Sequence, residues 1–268
     1  MPRITAQLIN DLSVREVEEL FSRNSDIDQS VFCHLESDTR AGVRRIAGRL
    51  RRNEQRAASE EARVERMMIF ENDLWRSGVR VVAGVDEVGR GCLAGPVVAA
   101  AVVLKPDSRL QGIDDSKKLK PEIREGLSEI ILDQALSVTF AEVEASDIDR
   151  LNILQASLLA MRKAIGDLVP NPEHVLIDGS QKAGSPFSET TVVRGDERSI
   201  SIAAASIVAK VHRDRLMVEL GKAYPHYEFA SNKGYASKHH RQALCDYGPC
   251  RLHRRSFEPV AAHFKSIQ

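Results

Sequence analysis

Acidic residues follow three short apolar runs of the sequence, and each of these acids lies close to a glycine. These acids are Asp86, Glu87, Asp178 and Asp196. A single aspartate after a strand is usually a turn or cap residue, but three such events in one chain favour convergence at one site. Carboxylate oxygens suit hard cations such as Mg²⁺ and Mn²⁺, and a bound cation relieves the repulsion within a carboxylate cluster. The four acids therefore predict a Mg²⁺ or Mn²⁺ site able to support hydrolysis of a phosphodiester.

The adjacent acids Asp86 and Glu87 raise a geometric difficulty. Neighbouring residues of a regular strand point to opposite faces of the sheet, so both side chains cannot enter one site from an unbroken strand. Either the strand ends or bends here, which Gly84 and Gly89 would permit, or one of the two acids has a different role.

A glycine-framed arginine follows this acidic pair, in the segment Gly89, Arg90 and Gly91. Its GxGxxxG spacing is one residue longer than a dinucleotide-binding fingerprint and leads into a strand instead of a helix, which disfavours a Rossmann site. No GxxxxGK[ST] motif is present, so a P-loop is excluded. Two explanations stay open. The backbone could approach a phosphate closely, with Arg90 as a charged fork, or the glycines could only provide the positive φ angles of a tight hairpin.

The elements that must position these residues have an α/β pattern. Strands are predicted at residues 79–85, 96–104, 136–143, 174–177 and 190–193. Helices are predicted at residues 121–132, from Ser146 continuously to Gly166, and from Ser201 onward. We interpret residues 79–268 as one catalytic domain preceded by an all-helical N-terminal extension, residues 1–78.

The extension is rich in arginine and contains no lysine. Ser13 and Glu16 form a capping-box pattern, which predicts a helix start. A second helical pattern begins near Asp38, and only Glu54 opposes its cluster of arginines: Arg44, Arg45, Arg49, Arg51, Arg52 and Arg56. Such a helix could track a phosphate backbone and bind substrate, or it could be a solvated face with Glu–Arg pairs.

The C-terminal segment, residues 232–268, combines cations with aromatic rings. Seven Lys and Arg residues oppose one Asp and one Glu. Tyr235 follows a lysine and a glycine, so its ring could stack on a sugar or base, although a core tyrosine is the plainer alternative. Outside this segment, Lys117 of the loop near residue 115 could contact phosphate. His239 and His240 could bind metal, but adjacent histidines on a helix diverge and solvated histidines are commoner.

Composition narrows the class of protein. The 268 residues are 43% hydrophobic with zero net charge, which fits a globular protein and leaves nucleic-acid binding to the local distribution of charge. The four cysteines contain no CxxC pair, which makes zinc improbable and free thiols in a reducing compartment the plain interpretation. No signal peptide or transmembrane run is evident, so we expect a cytoplasmic protein without membrane association.

Taken together, these motifs resemble bacterial ribonuclease HII over about residues 79–265. The matching segments, in order, are GVDEVGRG from Gly84, LAGPV from Leu93, DSKKL from Asp115, LIDG from Leu176, Gly195-Asp196, AAASIVAK from Ala203, KGY from Lys233 and HRRSF from His253. The resemblance implies a ribonuclease H-like fold, a mixed sheet flanked by helices. It also implies cleavage of RNA in RNA–DNA hybrids and on the 5′ side of a single ribonucleotide in duplex DNA, leaving 3′-hydroxyl and 5′-phosphate ends.

The resemblance also implies roles for individual residues. Asp86, Glu87, Asp178 and Asp196 match the four metal-binding acids. The segment Gly89-Arg90-Gly91 matches the one that senses the ribose 2′-hydroxyl, Tyr235 the ring that packs on the junction sugar, and Lys117 a phosphate contact. Cys92 stands where many members have proline. We expect a monomer without an obligate protein partner. The rival interpretations are a non-catalytic hybrid-binding module and another ribonuclease H-like nuclease.

Overall fold

The computed structural model describes residues 6–22, 28–106, 108 and 110–265. The chain divides into two compact units, Met1–Arg63 and Val64–Gln268. Within the described residues, no helix is both long enough and apolar enough to cross a membrane. All four cysteines are free thiols.

The first unit is helical, as the sequence predicts. It contains α1 (Ala6–Asp11), α2 (Val14–Ser22), α3 (Gln29–Ser37) and most of α4 (Ala41–Met67). Its small core is formed by Ile9, Val17, Phe21, Val31, Leu35, Val43, Ile46 and Ala47. The predicted capping box is confirmed: the Ser13 amide donates to Glu16 Oε2 at 2.8 Å, and the Glu16 amide donates to Ser13 Oγ at 3.3 Å.

Part of the arginine cluster on α4 is paired within this unit. Arg49 lies 2.7 Å from a Glu18 carboxylate oxygen, and Arg51 lies 2.7 Å from one of Glu36. These contacts match the interpretation of a solvated helical face, although the acids come from α2 and α3 instead of α4. Arg45, Arg52 and Arg56 are exposed on the same helix.

The second unit is built on a mixed five-stranded sheet, which confirms the predicted fold class. The strands are β1 (Val82–Val88), β2 (Val97–Val103), β3 (Ser137–Val143), β4 (His174–Asp178) and β5 (Ser188–Val192), in the spatial order β3-β2-β1-β4-β5. β1 and β3 pair with β2 in antiparallel fashion, whereas β4 runs parallel to β1 and to β5. The carboxyl ends of β1 and β4 therefore meet at one edge of the sheet.

Helices cover both faces of this sheet. They are α5 (Ile69–Arg76), α6 (Pro121–Gln134), α7 (Ala145–Leu151), α8 (Ile153–Gly166), α9 (Ile200–Lys222), α10 (Phe229–Asn232), α11 (Lys238–Tyr247) and α12 (Val260–Lys265). One face packs against α7 and α8 through side chains such as Val85 and Ile177. The other packs against the alanine-rich α9. Gly84 is the closest approach of β1 to α9, since a Cβ there would lie 2.1 Å from the Ser201 carbonyl carbon.

Two predicted boundaries are wrong in an instructive way. β1 does not end before the acids but runs to Val88, because Asp86 and Glu87 still pair with Ala100 and Ala99 of β2. The helix predicted as continuous from Ser146 is broken at Asn152, which has φ 73°. The Asn152 side chain then caps α8 by accepting a hydrogen bond from the Gln155 amide at 3.1 Å.

The N-terminus of α9 is fixed by a buried acid from α5. Glu71 is 1% exposed, and its Oε1 accepts from the Ser199 hydroxyl at 2.5 Å, the Ser201 amide at 3.0 Å and the Ser201 hydroxyl. Burial raises the pKa of Glu71 even though these hydrogen bonds oppose the shift. Because α9 carries residues of the site described next, this contact ties α5 to the geometry of the site.

Candidate active site

Asp86 and Asp178 lie level with each other at the carboxyl ends of adjacent strands. The last paired residues of β1 and β4 are Val85 and Ile177, so the two aspartates are the next residues of the same register. Val82, four residues before Asp86, and Leu176, two residues before Asp178, share a cluster with Ile202 of α9. Since side chains alternate along a strand, both aspartates project toward α9.

The surroundings of Asp86 disfavour a negative charge in the absence of a cation. The residue is 5% exposed, and burial raises its pKa well above the usual range. The charges of Glu87 and Asp178 raise it further, while a hydrogen bond from Ser206 and one from the Glu87 amide to Oδ1, at 2.7 Å, act in the opposite direction. An acid in such a place gains the most from a bound cation.

Glu87 reaches the same edge from the other face of β1. Its side chain is only 8% exposed, and Arg90 Nη1 lies 2.9 Å from Glu87 Oε1. Burial raises the pKa of Glu87, the Arg90 charge lowers it, and Asp178 raises it again. β1 continues through Glu87 to Val88, so an early end of the strand does not explain how Glu87 interacts with Asp178. The two side chains interact because both lie near the same edge of the sheet.

Asp178 and Asp196 are brought together by the turn after β5. Asp178 Oδ1 accepts a hydrogen bond from the Gly195 amide at 2.7 Å. A Cβ at Gly195 would lie 2.6 Å from Ile202 Cδ1 and 3.2 Å from that Asp178 oxygen, so a larger residue would disturb this contact. Asp196 follows in a single 3₁₀ turn and is 8% exposed. Burial and the neighbouring Asp178 charge raise the pKa of Asp196.

Lys117 places a cation at this acidic edge. Its Nζ lies 3.6 Å from Asp196 Oδ2 and 3.9 Å from Asp115 Oδ1, while its side chain is 77% exposed. Burial lowers the pKa of Lys117, but the charges of Asp115, Asp196, Asp86 and Asp178 outweigh that effect and raise it. An exposed amine among carboxylates can turn toward a substrate phosphate. Asp115, the first residue of the DSKKL segment, belongs to the same group, and the sequence does not predict it as a site residue.

The glycines of the loop between β1 and β2 have different physical requirements. Gly89 has φ +91°, and a Cβ there would lie 2.2 Å from Arg213 Nε. Gly95 has φ +84°, and a Cβ there would lie 2.4 Å from Met217 Sδ. These two residues fit the hairpin explanation, because conformation and packing both require glycine. Gly91 is exposed and a Cβ there would meet nothing within 4 Å, so packing does not explain it.

Two fully buried arginines, Arg213 and Arg254, hold this loop from inside. Arg213 donates to the carbonyls of Pro96 at 3.0 Å, Lys233 at 2.9 Å and Ala94 at 3.2 Å. Arg254 donates to Gly89 at 2.7 Å, to Arg90 at 2.8 Å and twice to Gly95, at 2.9 and 3.1 Å. Burial lowers the pKa of Arg254 to about 10, which leaves it charged near neutral pH. Sequence reasoning missed both residues, since only a folded chain brings them to the loop.

Tyr235 lies beside the loop and offers part of its ring to solvent. It is 41% exposed, and Lys210 Nζ lies 5.5 Å from the ring centroid. Burial of the hydroxyl end raises the pKa of Tyr235 to about 12. The preceding Gly234 has φ +84°, and its carbonyl accepts from the Leu93 amide at 2.8 Å, which joins the tyrosine segment to the glycine loop. The structure therefore favours an exposed ring over a core tyrosine.

The expectation of a solvated histidine pair is wrong for His240, which is fully buried. His240 Nδ1 lies 2.8 Å from the Tyr235 carbonyl, and its Nε2 lies 3.1 Å from His253 Nε2. His253 Nδ1 accepts from the Cys250 amide at 3.0 Å. One set of neutral histidine tautomers satisfies all three hydrogen bonds, because the Tyr235 carbonyl can only accept and the Cys250 amide can only donate. Burial lowers the pKa of His253 to about 4, so this imidazole is neutral near neutral pH. The hydrogen bond from His240 to the Tyr235 carbonyl then supports the backbone at Tyr235.

The donor set at the acidic edge fits a divalent metal ion. Its carboxylate oxygens are the ligands that Mg²⁺ and Mn²⁺ prefer, and the raised pKa values of Asp86, Glu87 and Asp196 reflect repulsion and burial that a cation would relieve. Within the described residues, no three acidic, histidine or cysteine side chains form a ready-made metal site. Asp86 and Asp178 each accept a backbone amide hydrogen bond through Oδ1, which orients the two carboxylates.

Comparisons with known proteins identify the family of this chain. The chain matches the family model for Ribonuclease HII over residues 83–260 and the model for Ribonuclease HII N-terminal domain over residues 13–75. The crystal structure of ribonuclease H2 from Pyrococcus horikoshii OT3 is 28% identical with a TM-score of 0.60, covering 69% of this chain and 98% of that one. The RNase HII of a PCNA:RNase HII complex from Archaeoglobus fulgidus is 26% identical with a TM-score of 0.58, covering 66% and 95%.

A more distant structure shares the fold. Bst-RNase HIII in complex with Mn²⁺ is 19% identical with a TM-score of 0.54, and the match covers 70% of each chain. Ribonucleases H depend on divalent metal ions and act on RNA–DNA hybrids. Since the family model spans most of the second unit, including every acid of the site, the chain belongs to the ribonuclease HII family and is a ribonuclease H-type nuclease.

Proposed function

We propose that this chain is an endoribonuclease that cuts RNA in RNA–DNA hybrids and cuts on the 5′ side of a single ribonucleotide embedded in duplex DNA. The observation that carries the proposal is the level placement of Asp86 and Asp178 at the carboxyl ends of β1 and β4, where burial and the charges of Glu87 and Asp178 disfavour ionisation of Asp86. Glu87 and Asp196 border the same edge. These four acids would hold the Mg²⁺ or Mn²⁺ ions.

The bound metal would activate water and stabilise the leaving oxygen, which is the chemistry of two-metal phosphodiester hydrolysis. Water oxygen bonds to phosphorus while the bond from phosphorus to the O3′ of the preceding nucleotide breaks. The products are a 3′-hydroxyl on the preceding nucleotide, whose oxygen takes a proton, and a 5′-phosphate on the ribonucleotide. The ribose 2′-hydroxyl is not the nucleophile in this scheme, because the broken bond lies on its 5′ side. It serves as the group by which the enzyme recognises RNA.

The remaining site residues have roles in binding. Arg90 and Gly91 are exposed beside the acids, and the segment Gly89-Arg90-Gly91 would contact the 2′-hydroxyl. Tyr235 would pack its exposed ring on the sugar at the junction, and Lys117 would contact a phosphate. The surroundings of these residues support the roles, since Gly91 has open space, Tyr235 is partly exposed and Lys117 is largely exposed. We expect a monomer to suffice for this activity.

Replacement of one acid tests the proposal. Asp86→Asn keeps the size and the hydrogen-bonding oxygen of the side chain but removes the charge that a metal ion needs. We expect the variant to fold normally and to lose most of its cleavage of a duplex containing one ribonucleotide. Asp246→Asn is the matched control, since this acid lies on α11 and accepts a hydrogen bond from its own helix neighbour, Gln242, at 2.9 Å. Full activity of Asp86→Asn would remove this residue from the proposed site.

We also propose that residues 1–78 act as a substrate-binding extension of the catalytic domain, residues 79–268. The exposed arginines Arg45, Arg52 and Arg56 would contribute phosphate contacts. Their joint replacement by glutamine should weaken binding to duplexes of any sequence and make it less dependent on salt. Replacement of Arg49 and Arg51, which are already paired with acids, should have a smaller effect. Equal affinity and an equal salt slope in the first variant and the intact protein would exclude this role.

A further inference from the structure

Arg213 and Arg254 are unusual because they bury full charges against backbone carbonyls. Both are 0% exposed. Among the described residues, neither forms an ion pair with a carboxylate, and the acceptors of their hydrogen bonds are main-chain oxygens. A buried charge is costly unless hydrogen bonds compensate it, so this arrangement needs a reason beyond filling space.

The carbonyl groups to which Arg254 donates hydrogen bonds explain why this charge is buried here. Its guanidinium binds the oxygens of Gly89 and Arg90, and these oxygens belong to the peptide groups that carry the amides of Arg90 and Gly91. In a planar trans peptide the C=O and N–H bonds point in opposite directions. Pulling both oxygens inward therefore turns the two N–H groups outward, away from the protein interior.

Within the part of the chain that the structure describes, the amides of Arg90 and Gly91 donate to no protein acceptor. Arg90 and Gly91 are both exposed, so the amides face the solvent next to Glu87. Two adjacent donors with fixed directions can bind one oxygen of a ligand. A flexible glycine loop without an internal support would lose much of this directional preference, because glycine populates many backbone conformations.

Arg213 fixes the same loop relative to the aromatic ring. It bonds Ala94 and Pro96 at the end of the loop and Lys233 two residues before Tyr235, and its Cζ lies 6.0 Å from the Tyr235 ring centroid. Its side chain also occupies the space that a Cβ at Gly89 would need. The loop and the ring are thereby held at a constant separation.

We propose that Arg254 and Arg213 are specificity-determining positioning residues, which aim the Arg90 and Gly91 amides at the ribose 2′-hydroxyl and hold Tyr235 at the matching distance. The inference rests on the proposed function of the loop. It assigns the discrimination between RNA and DNA to two side chains that touch no substrate. The planar guanidinium is essential to this role, because a lysine ammonium cannot donate to three separate carbonyls in one plane.

Binding of two duplexes in the presence of chelator tests the inference without hydrolysis. One duplex contains a single ribonucleotide, and the other has the same sequence with deoxyribose throughout. We expect the intact protein to prefer the first, and Arg254→Lys to reduce this preference about tenfold, the effect of one misdirected hydrogen bond. Its affinity for the all-DNA duplex should stay within about twofold, because phosphate contacts are unchanged. Arg213→Lys should act in the same direction.

Arg162→Lys is the matched control, since Arg162 also donates to a carbonyl, that of Ala183 at 2.7 Å, but lies away from the loop. It should leave both affinities unchanged. Thermal unfolding identifies any variant that fails to fold. If one of the two arginine variants is unfolded, the duplex preference of the other one tests the inference. An unchanged preference in a folded Arg254→Lys or Arg213→Lys protein, or an equal loss of affinity for both duplexes, would overturn the inference alone. No preference in the intact protein would overturn the proposed 2′-hydroxyl recognition as well.

Discussion

The tight contact between β1 and α9 makes Gly84→Ala the most demanding test of the site geometry. A Cβ at this position would lie 2.1 Å from the Ser201 carbonyl carbon, and 2.4 Å from both the Ser201 oxygen and the Ile202 nitrogen. All three neighbours are backbone atoms, so no side-chain rotation can relieve the overlap. Ordinary contacts begin near 3.4 Å. The strand or the helix must therefore move by roughly 1.3 Å.

Both stability and activity should respond to this movement. Overpacking of a well-packed core typically costs about 1–3 kcal/mol in the free energy of unfolding. Asp86 lies two residues further along β1 and is hydrogen-bonded by Ser206 of α9, so separating the two elements displaces an acid of the proposed site. A misplacement of about 1 Å can reduce an enzymatic rate about 10²-fold. We expect Gly84→Ala to show both losses.

Urea unfolding and the initial rate of cleavage of a ribonucleotide-containing duplex measure these two effects. Gly126→Ala is the matched control, because Gly126 is exposed in α6 and a Cβ there meets nothing within 4 Å. That variant should keep full activity and gain a few tenths to about 1 kcal/mol from the higher helix propensity of alanine. A Gly84→Ala protein with the stability and rate of the intact chain would refute the reasoning.

Three further predictions concern the stability of each unit and the exposed ring. Glu71→Ala should destabilise the second unit by about 2–4 kcal/mol in urea unfolding, because Ser201 at the start of α9 loses buried hydrogen bonds. Asp38→Asn should destabilise the protein by about 1–2 kcal/mol at pH 7 and by much less at pH 2. The side-chain hydrogen bond from Arg40 lowers the pKa of Asp38 to about 2, so the stabilisation is fully present above pH 4 and is lost as the pH falls through 2. Tyr235→Ala should raise the KM for the junction duplex by about tenfold, the worth of one stacked ring, as steady-state kinetics would measure.

Each of these predictions has a distinguishing control. Glu71→Gln keeps an acceptor oxygen and should cost much less than the alanine variant; equal losses would show that the Glu71 hydrogen bonds are unimportant. The Asp38 effect should shrink in an Arg40→Gln background, which keeps the Arg40 backbone amide but removes the guanidinium. A loss independent of pH would contradict the electrostatic explanation. Tyr247 is 60% exposed on α11, so Tyr247→Ala tests whether loss of any exposed ring has the same effect.

The placement of Asp86 and Asp178 at one edge of the sheet follows from a simple topological rule. Asp86 and Asp178 each come near the carboxyl end of an apolar run, and parallel neighbouring strands bring such ends to one edge. Glu87 is harder to place from the sequence, because strand alternation points its side chain to the face opposite Asp86. In the structure, this long side chain near the sheet edge still interacts electrostatically with Asp178. The break at Asn152 was invisible because the apolar periodicity continues across it.

The supports of the site could not be predicted from local patterns. Arg254 contacts Gly89 across 165 residues of sequence, and Glu71 contacts Ser199 across 128. Periodicity reports which face of an element is buried, but it does not report which distant backbone groups lack a partner. A charged residue such as Arg213 in the middle of α9 would ordinarily be assigned to the surface. Only the three-dimensional structure shows that it is enclosed by the glycine loop.

Cleavage of a single, well-defined duplex tests the central claim most directly. The duplex carries one ribonucleotide at a known position, and the products are mapped to the nucleotide with their end groups identified, with Mg²⁺, with Mn²⁺ and with chelator. We predict one cut on the 5′ side of the ribonucleotide, with a 3′-hydroxyl and a 5′-phosphate, only when metal is present. No cut above the chelator background, or equal cutting after the ribose is replaced by deoxyribose, would contradict the account.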